Sequence, residues 1–177
     1  MNILKLTLVM ILSIAMLTGC GGGGGSSSNP VATPTDDQLL KADYPEIYNS
    51  YASVQAALEN NVATPAERVD DFTSYVANDF KDIDGNLNKK TELYNTTKSR
   101  LERYYVNSYK FVPLSHEVAS TTEITVKTYM YINVSKLETP GVVFADIPIT
   151  QDITWRKNGA LWQIYQGLPY KSSELSF

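Results

Sequence analysis

The sequence predicts one α+β domain in which N-terminal helices pack on a curved antiparallel sheet. Apolar residues recur every three or four positions in the first half of this domain, as on one face of a helix. In the second half they recur at every second position, as in strands with one buried face. The dipeptide Asn158-Gly159 adds the strongest hairpin signal in the chain. Helices followed by consecutive strands are typical of folds in which the helices cover one face of the sheet.

Three helices are predicted between residues 36 and 105. Thr35 and Gln38 have capping-box spacing, and Pro45 either kinks the helix that follows or begins its main part. Thr64-Pro65-Ala66-Glu67 is a second start signal. The apolar stripe of this second helix consists of Val69, Phe72, Val76 and Phe80. A third helix is predicted from about Asn88 to Tyr105, with inward-facing Leu93, Thr97, Leu101 and Tyr104 or Tyr105.

The strands are predicted from Tyr109 onward, where the apolar period changes to two. Glu123 to Val134 alternates cleanly and predicts a long antiparallel strand with one core face. Phe144 to Lys157 predicts a second such strand, with an edge position or a bulge near Pro148. The hairpin at Asn158-Gly159 should fold residues 160–167 back, with Trp162 and Ile164 facing the core.

The composition is that of an ordinary globular protein and excludes several function classes. The chain has 177 residues, of which 43% are hydrophobic and 19% charged, and its net charge is −4. No block of Lys or Arg provides a basic surface for nucleic acid. Neither a phosphate-binding loop nor a nucleophile elbow occurs, so no cofactor is predicted.

Residues 1–19 are predicted to be a secretory signal peptide. Lys5 gives the start a positive charge, and an apolar run of 12 residues follows from Leu6 to Leu17. Twelve helical residues span roughly 18 Å, well short of the ~30 Å hydrocarbon core of a bilayer. A permanent transmembrane helix is therefore disfavoured.

The end of this leader, Leu17-Thr18-Gly19-Cys20, resembles the bacterial lipobox. The resemblance implies that Cys20, the only cysteine, carries the lipid that anchors the protein in the cell envelope. Gly21 follows instead of aspartate, which resembles sorting to the outer membrane in organisms that have one. Residues 20–35 are rich in Gly, Ser and Pro and form a flexible tether, which leaves residues 36–177 as the folded domain.

Two segments of this domain resemble the nuclear-transport-factor-2-like superfamily, which includes SnoaL-like domains. One is Phe72 to Gly85, with its Asp79-Phe80 and Asp82-Ile83-Asp84-Gly85. The other is the terminal hairpin from Ile153 to Ile164. The resemblance covers about residues 64–168 and implies a cone whose sheet wraps a helix and encloses a pocket. The superfamily includes isomerases, dehydratases, cyclases and non-catalytic binding modules, so the fold alone does not decide the activity.

A ligand pocket is predicted from two polar residues on apolar strand faces. Thr128 and Gln151 lie in mid-strand on faces that line the cavity of a cone-shaped fold. Buried polar groups cost free energy unless they are hydrogen-bonded. We expect the two side chains to contact a small apolar ligand, with Phe72, Met130 and Trp155 as further lining. The alternative is that they bond to each other or to nearby backbone.

No catalytic or metal-binding set of residues is predicted. His116, the only histidine, would need Asp146 or Asp152 as a partner, but alternation places both aspartates opposite the apolar face of their strand. Aligning Gly85 with the sixth position of a calcium loop puts Phe80 and Thr91 where oxygen-rich ligands are required. The acidic segment from Asp79 to Asn86 is therefore interpreted as a turn that ends a helix, in preference to a weak divalent site.

Three functional hypotheses follow. The first is a non-catalytic binding or interaction module on a lipid anchor, and the second is a SnoaL-like acid–base enzyme acting on a small hydrophobic molecule. The third is a structural subunit of an envelope complex. Lys127, Tyr129 and Tyr131 share the outer sheet face, which suits a homodimer or a contact with an envelope protein.

Overall fold

The computed structural model describes residues 35–177, so the predicted signal peptide, the predicted lipid attachment at Cys20 and the predicted tether up to residue 34 lie outside the described residues. The helices are α1 (Asp36–Asp43), α2 (Pro45–Glu59), α3 (Pro65–Ser74) and α4 (Lys90–Leu101). The strands are β1 (Val76–Lys81), β2 (Tyr104–Ser120), β3 (Glu123–Lys136), β4 (Val143–Asn158) and β5 (Leu161–Gln166). Within the described residues, no helix is both long enough and apolar enough to cross a membrane.

The five strands form one sheet in the order β1-β5-β4-β3-β2. The strands β2 to β5 pair antiparallel in sequence order, and β1 joins the far edge parallel to β5. The helices pack on one face of this sheet, which confirms the predicted α+β class. The hairpin prediction is also confirmed: Gly159 has a φ of 62°, and Trp162 and Ile164 are buried.

The predicted helix starts are confirmed by their hydrogen bonds. Both Thr35 and Thr64 form capping boxes, with Gln38 and Glu67 as the respective partners. At the second box, the main-chain nitrogen of Thr64 donates to Glu67 Oε2 over 2.9 Å. Pro45 is the first residue of α2, so the main helix begins there, as one of the two alternatives proposed.

The second predicted helix is too long, because its last part is a strand. Helix α3 ends at Ser74, and Val76 and Phe80 belong to β1. A spacing of four positions keeps two residues on one face of a helix and also on one face of a strand, so this pair fits both periods. Pairing with β5 decides the outcome: the main-chain nitrogen of Ile164 donates to Tyr75 O over 2.8 Å.

The third predicted helix also ends earlier than expected. Helix α4 ends at Leu101, and the first strand of the antiparallel run begins at Tyr104 instead of Tyr109. The main-chain nitrogen of Val106 donates to Asn61 Oδ1 over 3.1 Å, and Tyr109 donates similarly to Glu59 Oε1 over 2.6 Å. These bonds from the end of α2 hold the start of β2 in an extended conformation that local periodicity does not reveal.

The core lies between the helices and the inner face of the sheet. The predicted alternation along β3 is confirmed, since its inner side chains are buried from one end to the other. They are Ile124, Val126, Thr128, Met130, Ile132 and Val134. On β4, Ile153 and Trp155 are fully buried, whereas Ile147, Ile149 and Gln151 are half-buried.

Candidate functional site

A cavity of about 40 Å³ lies between α4, the sheet and the last residues of the chain. Its walls are mostly apolar: Leu93 and Leu101 come from α4, and Ile132 and Val134 come from β3. Further walls come from α2, α3 and β2 and from four residues of 168–177, a stretch here called the closing segment: Leu168, Pro169, Leu175 and Phe177. Such a volume admits one or two waters or a group of a few heavy atoms, because one water needs roughly 10–15 Å³ measured in this way.

The closing segment starts at a tight turn and is fixed by hydrogen bonds. Gly167 has a φ of 96°, which turns the chain after β5. The main-chain nitrogens of Tyr170 and Lys171 donate to Glu174 Oε2 over 2.7 and 3.0 Å. Leu168, Tyr170 and Leu175 are buried, so the segment is part of the core and not a free end.

Arg100 of α4 joins the cavity to the closing segment. Its side chain lines the cavity but is only 5% exposed. Nε donates to Phe177 O over 3.2 Å, Nη1 donates to Tyr170 O, and the guanidinium carbon lies 5.3 Å from the centre of the Phe177 ring. Nη2 is buried and has no hydrogen-bond partner among the described residues.

The charge of Arg100 is buried, and its surroundings act on its pKa in opposite directions. Burial lowers its pKa, and the carboxylate of Glu174 opposes this from a distance. No Asp or Glu side chain of residues 35–177 lies within ion-pair distance of the guanidinium. An arginine remains protonated even when its pKa falls somewhat, so the cavity has one wall that is positively charged.

Tyr109 adds a neutral polar group to the same cavity. Burial raises its pKa to about 12, although the nearby charge of Arg100 acts in the opposite direction. Its hydroxyl is therefore protonated at neutral pH and can donate a hydrogen bond. The cavity thus combines apolar walls with a cation and three hydroxyl-bearing residues, Thr97, Tyr104 and Tyr109.

Of the five predicted pocket residues, only Phe72 lines this cavity. Thr128, Met130 and Trp155 have no exposed surface and lie in the packed core. Gln151 faces Thr128 across the β3–β4 pair and is half-buried. The prediction that these residues surround one open pocket is not matched by their placement. Contact of any of them with a ligand stays a prediction.

Tyr51 explains why the polar group of Thr128 can be buried. The Tyr51 hydroxyl lies 2.8 Å from Thr128 Oγ1 and accepts a hydrogen bond from Trp155 Nε1 over 3.0 Å. Thr128 Oγ1 also donates to Val126 O over 3.1 Å. The bond to Val126 O is the alternative that the sequence left open, in which Thr128 bonds to nearby backbone. The side-chain partner of Thr128 is Tyr51, which comes from helix α2 and not from the neighbouring strand.

The groups considered for acid–base chemistry are not brought together. His116 is half-buried in β2, and its ring packs edge-on against Tyr44 at 5.7 Å. Asp146 and Asp152 are exposed, as alternation predicts, and neither forms an ion pair with His116 in the described part of the chain. On the outer sheet face, Tyr129 and Tyr131 are half-buried, and an interface there stays a prediction.

The acidic turn holds a lysine of the protein between its carboxylates. Lys171 Nζ lies 2.8 Å from Asp82 Oδ2 and 2.7 Å from Asp84 Oδ2. Asn86 donates to Asp82 from its main chain and its side chain, over 2.8 and 2.9 Å. The turn follows strand β1 and not a helix, which corrects the prediction. No group of three or more His, Cys, Asp and Glu side chains in residues 35–177 could hold a metal ion.

Arg100 and the closing segment are the parts of the site that sequence reasoning missed. A signal for Arg100 was present, since it lies seven positions after Leu93 and three after Thr97 on the inward face of α4. A charged residue on an otherwise apolar helix face indicates a buried charge. The closing segment has no clear period in its sequence, and its position depends on distant partners.

Comparison with known proteins supports the fold and not an activity. No protein-family model matches the chain, and no curated protein does. An NTF2-like protein from Cytophaga hutchinsonii matches at a TM-score of 0.50 and 15% identity, over 71% of this chain and 94% of that one.

Two further solved structures are similar. An NTF2-like protein of unknown function in nutrient uptake from Rhodospirillum rubrum matches at a TM-score of 0.51 and 13% identity, over 68% of this chain and 93% of that one. Aln2 from a Streptomyces species matches at a TM-score of 0.54 and 10% identity, over 73% of this chain and 90% of that one. The domain therefore has the nuclear-transport-factor-2-like fold that the resemblance implied.

Proposed function

We propose that this domain is a non-catalytic binding module that holds a small, largely apolar ligand in the cavity behind the closing segment. The observation that carries the proposal is the cavity itself, whose mostly apolar walls include a buried cation and a few hydroxyl-bearing side chains. Ligand sites are typically apolar concavities in which a few polar groups fix the orientation of the ligand. A ligand of more than a few heavy atoms would enter by moving the closing segment outward.

The chemistry of the walls supports binding over catalysis. No Asp, Glu or His side chain of residues 35–177 lines the cavity. Acid–base catalysis near neutral pH needs a group whose pKa lies close to the working pH. Neither Arg100 nor Tyr109 meets this requirement, since one stays charged and the pKa of the other is about 12.

Calorimetric titration of the purified full chain with 1-hexanol tests this proposal. We expect saturable binding that Thr97→Phe weakens by about tenfold or more, equivalent to 1.4 kcal/mol, because the new ring fills the cavity. Thr96→Phe is the matched control, since this threonine neighbours Thr97 on α4 and does not line the cavity. Absence of saturable binding, or equal binding by Thr97→Phe, would contradict the proposal.

We also propose that the domain is displayed at the cell envelope on a lipid attached to Cys20. The lipobox-like ending of the leader and the small polar tether support this placement. Gly21, which is not aspartate, favours the outer membrane where the organism has one.

Metabolic labelling with an alkyne fatty acid in the producing bacterium tests the anchor. Label and membrane association are expected for the parent chain and are lost with Cys20→Ala. A chain that combines Cys20→Ala with Ser28→Cys is the control, because it restores a thiol at a different position of the tether. Labelling of this control, or an unlabelled parent, would refute specific modification of Cys20.

A further inference from the structure

An exposed apolar patch lies at the end of the β3–β4 hairpin. Four apolar residues of this hairpin, here called the hairpin patch, are between 46% and 65% exposed: Leu137, Val142, Val143 and Phe144. Gly141 turns the chain with a φ of 84°, and no atom outside its neighbouring residues lies within 4 Å of the position that a Cβ would take there. The end of the hairpin is therefore surrounded by open space. Exposed apolar patches of this kind typically mark a contact with another molecule.

Two positively charged side chains border the hairpin patch. Lys136 Nζ lies 4.8 Å from the centre of the Phe144 ring. Arg103 is exposed and lies beside the hairpin, because the main-chain nitrogen of Leu137 donates to Arg103 O over 3.4 Å. Glu138 is the one acidic residue between Lys136 and Phe144. Apolar and aromatic side chains with cations beside them are typical of protein segments at a membrane surface, where the cations meet the lipid phosphates.

The hairpin patch is continuous with the wall of the cavity. The Phe144 ring stacks on Tyr104 with the ring centres 5.2 Å apart, and Tyr104 lines the cavity. The ring of Phe177 in the closing segment packs edge-on against Tyr104 at 5.4 Å. Apolar surface therefore extends from the cavity wall to the end of the hairpin. Molecules with apolar bodies partition into membranes, so a membrane at the hairpin would bring the proposed ligand next to the cavity.

The length of the chain before the domain allows the hairpin and the proposed anchor at Cys20 to occupy one membrane. Residues 20–35 span at most about 50 Å when fully extended. Thr35, where the described residues begin, borders a groove beside Pro113 of β2. Tyr104 lies nine residues before Pro113 in the same strand, so the hairpin patch is roughly 30 Å from Thr35. This distance is shorter than the reach of the chain that leads to Cys20.

We propose that the hairpin patch inserts into the surface of the membrane that holds the lipid on Cys20. This inference rests on the proposed anchor and adds a second membrane contact, which orients the domain with the cavity wall next to the bilayer. A stable protein interface buries about 800 Å² on each partner, and four partly exposed side chains of one hairpin supply much less. A lipid surface requires no complementary shape, so it accommodates the end of a hairpin that is surrounded by open space.

The test attaches an environment-sensitive dye to single cysteines of the lipidated protein in vesicles of phosphatidylethanolamine and phosphatidylglycerol. Cys20 is the only cysteine of the chain, so an added cysteine is the one free thiol once Cys20 carries lipid. We expect the dye on Val142→Cys to emit at shorter wavelength than in water. We also expect lipids with a nitroxide in the acyl chain to quench it.

Leu161→Cys is the matched control for the position of the dye. Leu161 is also an exposed apolar residue at a hairpin, but it lies at the opposite end of β4, about 50 Å from Val142. A dye at this position should emit as in water and should not be quenched by the lipid nitroxides.

A charge within the hairpin patch should release the hairpin from the membrane. With the dye at position 142, Val143→Asp is expected to return the emission to that of the Leu161→Cys control. Val62→Asp should leave the emission unchanged, because Val62 is almost fully exposed in the turn between α2 and α3, outside the patch. Circular dichroism of each variant establishes that it is folded before its emission is compared.

The outcomes separate this inference from the proposed anchor. If Cys20 carries lipid but the dye at position 142 remains in water, the inference is overturned and the anchor stands. If Cys20 carries no lipid, both are overturned. A shift to shorter wavelength that the lipid nitroxides do not quench, and that grows with the density of protein on the vesicles, would assign the patch to a second copy of the chain. That result would also overturn the inference.

Discussion

At the scale of single residues, the hydroxyl of Tyr51 connects three elements of the core. It lies on α2 and bonds to Thr128 of β3 and Trp155 of β4. Because Thr128 donates to Val126 O, the consistent arrangement has Tyr51 donating to Thr128 and accepting from Trp155. Each buried polar side chain in this series of hydrogen bonds is satisfied by its neighbour in the series. Burial also raises the pKa of Tyr51, so the hydroxyl stays protonated.

Removing that hydroxyl should therefore destabilise the domain. We expect Tyr51→Phe to lower the free energy of unfolding by about 2–3 kcal/mol, because it leaves two buried polar groups without their partner. Urea unfolding followed by tryptophan fluorescence measures this loss. The double variant Tyr51→Phe with Thr128→Val is expected to recover part of it. A loss below about 0.5 kcal/mol would show that the network contributes little.

The second residue-scale feature is the ion pair of Asp82 with Lys171. Burial disfavours the charge of Asp82, but hydrogen bonds from Lys171 and Asn86 outweigh burial and hold its pKa well below the ordinary value. A group with a lowered pKa stabilises the folded state fully above its unfolded pKa of about 4. This stabilisation is lost as the pH falls through the folded pKa.

Asp82→Asn should accordingly reduce stability in a pH-dependent way. We expect a loss of about 2–3 kcal/mol near neutral pH, narrowing as the pH falls below about 4. The measurement is the free energy of unfolding of parent and variant across this pH range. Asp84→Asn is the control: its exposed carboxylate pairs with the same lysine, and its loss should cost less than about 1 kcal/mol. A constant difference at all pH values would contradict this account.

At the scale of elements, the turn at Gly167 directs the closing segment over the cavity. Its φ of 96° is unfavourable for other residues, and a Cβ there would overlap the main-chain oxygen of Asp152. Gly159 in the β4–β5 hairpin also has a positive φ, of 62°, but open space surrounds it. A comparison of the two glycines therefore separates the cost of a positive φ from the cost of steric overlap.

Replacing each glycine by alanine should give different losses of stability. Gly159→Ala is expected to cost about 1–2 kcal/mol, the penalty for a positive φ alone. Gly167→Ala should cost at least about 3 kcal/mol, because the backbone of β4 must move as well. Denaturant unfolding compares the two variants. Equal losses would show that the closing segment relaxes without strain.

The elements differ in how far their sequences predict them. The strands β3, β4 and β5 were predictable because alternation and the Asn158-Gly159 turn are local signals. Both capping boxes were equally local. Strand β1 was not predictable, because Val76 and Phe80 satisfy two periods and the partner strand lies almost ninety positions away.

At the scale of the whole molecule, the site was predicted less well than the fold. The inward face of β3 was identified correctly, yet Thr128 points at Tyr51 of α2 and not at a cavity. Which part of an apolar face is filled depends on side chains from distant elements. Tyr51 fills one part of this face, and a cavity remains beside Arg100.

The fold itself leaves the activity open, since identities of 10–15% to the structures compared carry no functional residue across. The proposed function therefore depends on the chemistry of one cavity: its walls are apolar, the guanidinium of Arg100 lines it, and no Asp, Glu or His side chain of residues 35–177 does. The binding module that we propose rests on these features of the cavity, and its proposed place at the envelope rests on the lipobox-like leader alone.

The most direct test of this account is to record amide chemical shifts of the ¹⁵N-labelled full chain during titration with 1-hexanol. The account predicts saturable shift changes concentrated on α4 near Arg100 and on residues 168–177, with small changes around Thr128 and Gln151. Changes centred on Thr128 and Gln151, or no saturable change anywhere, would contradict the claim that the cavity behind the closing segment is the binding site.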